Sequence, residues 1–66
     1  MLDMERYINR HVTLDVIVSN KTYQISGKIV EVNANITKLA IYKHRRLTNR
    51  YIPNEDIVGI EDTTIL

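Results

Sequence analysis

The sequence predicts a mostly β protein, a five-stranded antiparallel barrel preceded by a short helix. Three observations carry this. Apolar and polar residues alternate over several short segments, as in half-buried strands. Turn-forming clusters separate those segments at hairpin spacing, namely Ser19-Asn20-Lys21 and Asn33-Ala34-Asn35. The stretch between Thr22 and Val32 is longer than its neighbours and changes face midway. Tyr23, Ile25, Gly27 and Ile29 share one side, whereas the apolar residues that follow are Val30 and Val32. Such a slip implies a bulge or bend, which Gly27 can supply because it has no Cβ. A long bent strand can belong to both halves of a small closed sheet.

The elements follow in order. Residues 1–11 read as a helix with Asp3 as N-cap, Leu2 and Tyr7 as a hydrophobic staple, and Met4 and Ile8 as a narrow apolar stripe. At about two turns it is too short to stand alone, so it should dock over an open end of the barrel. Residues 12–61 form the barrel. The first strand points Val12, Leu14, Val16 and Val18 inward. The third, Ile36 to Tyr42, points Leu39 and Ile41 inward and Lys38, Ala40 and Tyr42 outward. Lys43 to Arg46 is a basic loop, Leu47 to Ile52 a fourth strand, and Pro53, which has no N–H, ends it. Residues 53–56 suggest a single tight helical turn. The last strand contributes Ile57 and Ile60 to the core, and residues 62–66 form a tail. At this length, five such strands should close as an Sm-like or SH3-like barrel.

Composition narrows the classes. Sixty-six residues allow one domain, and a chain this short buries only about 60% of its unfolded surface. With no cysteine, disulfides and thiol chemistry are excluded, and self-association becomes a natural source of added stability. The N-terminal residues carry acids and lack the apolar run of a secretory leader, and no segment approaches the ~20 apolar residues of a membrane span. We therefore expect a cytoplasmic protein that does not enter a membrane. Net charge is only +1, but it is unevenly distributed. Between Glu31 and Glu55 there is no acid, while Lys38, Lys43, Arg45, Arg46 and Arg50 all fall there.

The segments SGKIVEVN, ITKLAIY and RYIPNEDIVGIE, with their spacing, resemble the barrel part of the YolD-like family. The resemblance runs from about Leu14 to Glu61 and is carried by Gly27, Ile29, Leu39, Ile41, Tyr51, Ile52, Asp56, Ile57 and Ile60. It implies a small bacterial or phage protein with an Sm-like fold, associated with DNA-damage tolerance. It implies no catalytic residues.

An enzymatic role is not expected. Ser19 and Ser26 have only His11 and His44 as conceivable bases, and no nucleophile-elbow, phosphate-loop or paired-histidine motif is present. Two isolated histidines do not make a metal site, so no metal or cofactor is expected. His11 fits the C-terminal end of the helix, where a partial positive charge suits the dipole. Glu55 and Asp56 fit a turn in which acids cap backbone N–H groups. The four tyrosines are the only aromatics. Of these, Tyr23 and Tyr51 are read as core, Tyr7 as helix packing, and Tyr42 as outward.

The candidate contact surface is Lys38, Tyr42, Lys43, His44, Arg45, Arg46 and Arg50. Its cations could neutralise phosphates and Tyr42 could stack on an unpaired base. The same charges could instead simply solvate a hairpin tip and guard an edge strand. The sequence favours a non-enzymatic accessory protein acting on a protein partner. A nucleic-acid-binding module using the 38–50 hairpin is the alternative, and a ring-forming Sm-type RNA binder comes third.

Overall fold

A computed structural model describes residues 3–64. It contains five antiparallel strands in one sheet: β1 (His11–Val18), β2 (Lys21–Val32), β3 (Ile36–Lys43), β4 (Arg46–Pro53) and β5 (Ile57–Asp62). Their order is β4-β3-β2-β1-β5. The mostly β, five-stranded antiparallel architecture expected from the sequence is present. Closure is not: β4 and β5 are the two edges of this order, and the sheet does not complete a barrel.

The sheet bends in β2, which pairs with β1 over Lys21–Lys28 and with β3 over Lys28–Val32. The register against β3 slips between Ile29 and Glu31, leaving Val30 as the extra residue. Below the bulge Gly27 and Ile29 face the core, and above it Val32 does, which is the change of face visible in the sequence. Gly27 is not the bulge. A Cβ there would lie 2.7 Å from the Ala40 carbonyl oxygen and 2.9 Å from Leu39 Cγ, so its role is to let β3 approach closely. A second slip, between Asp15 and Val16 against β5, leaves Val58 unpaired and exposed.

The core is Met4, Val12, Leu14, Val16, Ile29, Leu39, Ile52 and Ile57, with Tyr7, Ile25, Val32, Ile41 and Ile60 packed against it. Thr37 is also fully buried, on the inner face beside Val32. Its hydroxyl donates to Asn54 Oδ1 at 2.6 Å. Asn54 Nδ2 donates to the Asn33 carbonyl, and the Asn54 backbone N–H donates to that of Asn35. One asparagine thus ties the β2–β3 turn to the short 3-10 turn Asn54–Asp56 before β5. That turn has no side-chain cap hydrogen bond, so the capping expected of Glu55 and Asp56 is not made.

The N-terminal helix is reduced to one 3-10 turn, Met4–Tyr7. Asp3 makes no capping bond there, and Leu2 of the expected staple lies outside the described residues. Only Met4 of the apolar stripe is buried, and Ile8 is exposed. The helix stops early because Asn9 and Arg10 extend the β1–β2 ladder: Asn9 N–H donates to the Ile29 carbonyl at 2.7 Å, and Ile29 N–H to that of Arg10 at 3.1 Å. His11 therefore opens β1 and does not end a helix. At the other terminus Asp62 belongs to β5 and the next residues form a latch. The Thr63 N–H donates to the His11 carbonyl, and the His11 N–H donates to Thr64 Oγ1. Asp62 accepts from Arg10 Nε at 2.8 Å and from the Thr64 N–H at 2.9 Å. These donors, the backbone and side chain of Thr64 foremost, lower its pKa from 3.8 to about 2.

Candidate nucleic-acid interface

Strands β3 and β4 form a long hairpin whose outer half leaves the core. Along β4 only Ile52 is buried, and Arg46 to Tyr51 are all exposed. The turn is tighter than the four-residue loop expected from the sequence. Lys43 pairs with Arg46, leaving only His44 and Arg45 between the strands, both with positive φ (53° and 62°). A two-residue turn with both residues left-handed matches strand twist and is normally built from Asn and Gly. Here it carries a histidine and an arginine, the latter at a backbone position costly for a side chain.

Register divides the hairpin into two faces. Leu39, Ile41 and Lys43 lie opposite Arg50, Thr48 and Arg46 on the inner face. Lys38, Ala40 and Tyr42 lie opposite Tyr51, Asn49 and Leu47 on the outer face. The hairpin brings all seven candidate residues together: Lys38, Tyr42, Lys43, His44, Arg45, Arg46 and Arg50. All are exposed except Lys38, which is half-buried. Lys38 Nζ sits 5.8 Å from the centre of the Tyr51 ring, within cation–π range.

Two tyrosines differ from the sequence reading. Tyr51, expected in the core, is 63% exposed, and Tyr42 is 73% exposed on the same outer face. Tyr23, also expected inside, is 49% exposed although its register with Val16 places it on the inner face. Among the described residues the sheet is open, with β4 and β5 as its edges, and that end of the inner face is left uncovered. Val18, expected inward as well, is half exposed for the same reason. The sequence signal for Tyr51 was its neighbour: if Ile52 is core, parity turns Tyr51 outward.

The inner-face opening forms a cleft of about 340 Å³ lined by Val16, Val18, Tyr23, Gln24, Ile25 and Arg50. A larger and slightly more enclosed hollow of about 940 Å³ lies at the opposite end, beside the Asn33 and Asn54 turns. Its lining includes Asp3, Glu5 and Glu55, so anions are disfavoured there.

Among the described residues no three His, Cys, Asp or Glu side chains gather as a metal site would need. No helix among them is long and apolar enough to cross a membrane. Comparison with family models, curated proteins and solved structures finds no match.

Proposed function

We propose that this chain is a non-enzymatic module that binds single-stranded nucleic acid along its β3–β4 hairpin. The observation that carries the reading is the projecting hairpin itself. Beyond Lys38 it holds no acid, it displays cations on both faces and at its tip, and it exposes two tyrosine rings on its outer face. Cations supply sequence-independent attraction to phosphates. Exposed aromatic rings favour unpaired bases, which can leave the stack and lie flat on them. Arg45 at a turn position suited to glycine supports the same reading, because it sacrifices local stability to place a charge at the tip. Such a role belongs in the cytoplasm, where nucleic acid is available.

The test is fluorescence anisotropy of labelled single-stranded DNA and RNA at low and near-physiological salt. We expect binding that weakens with salt and collapses in the Arg45→Ser/Arg46→Ser variant. Absence of binding at low salt would sink the reading.

A second reading is favoured by the open edge of β4. Its row of backbone groups, flanked by Leu47 and Tyr51, could receive a strand from a protein partner. In that case the chain is an accessory protein, and the YolD-like resemblance would attach it to DNA-damage tolerance in a bacterium or phage. It predicts affinity for a protein with only weak, unspecific binding to nucleic acid. A ring-forming Sm-type RNA binder would instead run as a large oligomer, and a monomer by light scattering excludes it.

A further inference from the structure

We infer that the inner-face cleft beside Arg50 is a seat for one unpaired nucleobase of a bound single strand. The inference rests on the nucleic-acid reading above and adds a site to it. The cleft is walled by Val16, Val18 and Ile25, with the half-exposed Tyr23 at its mouth. Gln24 also lines it, but its side-chain amide already donates to Asp15 Oδ1 at 3.2 Å. What remains, among the described residues, is an open apolar recess with an aromatic side chain and one charged residue, Arg50. Its volume lies at the small end of the ~300–1,000 Å³ typical of ligand sites.

Charge selects the occupant. Among the described residues no acid lines the cleft, so they offer a cationic ligand no counter-charge there. The inner face of the hairpin carries Lys43, Arg46 and Arg50, so the cations run from the tip to the cleft mouth. Arg46 and Arg50 are about 13 Å apart along the strand at ~3.3 Å per residue. A phosphodiester chain following that row delivers its next base to the recess. The base then lies against Tyr23 and the β1–β2 side chains while Arg50 holds the adjoining phosphate.

The experiment compares a short labelled oligothymidylate with an abasic strand of equal length, bound to the full chain at low salt. Tyr23→Ser should weaken oligothymidylate binding about tenfold and leave abasic binding unchanged. Tyr23→Phe should retain both, which separates loss of the ring from loss of the fold. Arg45→Ser/Arg46→Ser should weaken both strands, because it acts on phosphates. If Tyr23→Ser weakens oligothymidylate binding no more than it weakens abasic binding, the cleft inference fails while the nucleic-acid reading survives. If it binds neither, both fall. A concentration-dependent mass in light scattering that Tyr23→Ser abolishes would assign the cleft to a second copy of the chain and overturn the inference.

Discussion

At Gly27 a single hydrogen decides how closely β3 can approach β2. A Cβ there would meet backbone, the Ala40 carbonyl oxygen, as well as Leu39 Cγ and Ile41 Cγ1 at 3.1 Å. Backbone cannot rotate away as a long side chain can, so Gly27→Ala must push β3 off β2. We expect a loss of about 1–3 kcal/mol, read as a lower urea midpoint with unchanged slope. Gly59 offers the contrast, since its nearest neighbour would be the end of the Asp15 side chain. The strand around Gly27 was legible as a slipped period, but the cause of the glycine was not. Close approach of a strand from elsewhere in the chain leaves no local pattern. Tyr51 and Ile52 show the same limit. Both suit a strand, and only the pairing of Ile52 with the buried Thr37 determines which one turns inward.

At the scale of elements, the hairpin tip trades stability for charge. Replacing His44 and Arg45 by Asn and Gly supplies the residues that a doubly left-handed turn prefers. The variant should gain about 0.5–1 kcal/mol and melt a few degrees higher. It should also bind single strands less well. If Lys38, Lys43, Arg45, Arg46 and Arg50 each meet one phosphate, log K should fall with log salt at a slope near −3.5, at ~0.7 per phosphate. Removing Arg45 should flatten that slope by about 0.7. A more stable variant with an unaltered slope would mean the tip touches no phosphate. The strands were readable because period-2 alternation is local. The N-terminal helix was misread because its pattern covered too few residues. A segment that short gains little from helical hydrogen bonds, and Asn9 and Arg10 instead take up the free backbone groups of Ile29.

At the scale of the whole molecule, the open sheet links stability to binding. Five strands were legible one by one, but whether the first and last edges meet depends on the accumulated twist and on two bulges, at Val30 and Val58. The alternating pattern gives each residue's face without saying whether that face is covered. The candidate site was legible as a charge run, whereas the cleft was hidden because Tyr23 and Arg50, far apart in sequence, meet only in the folded sheet. A domain of this size with an uncovered inner end should be marginally stable. Any ligand that binds only the folded state then shifts unfolding strongly. At a free oligonucleotide concentration about a hundred times Kd, linkage adds about 2.7 kcal/mol. At about 4–8 °C per kcal/mol for a small domain, the melting midpoint should rise by ~10–20 °C. The rise should shrink in high salt, as the phosphate attraction is screened. It should also be smaller for Tyr23→Ser than for the wild type at equal oligonucleotide concentration. A midpoint indifferent to single strands at low salt would mean that the hairpin binds none, and the open edge of β4 would then be the surface to pursue with protein partners.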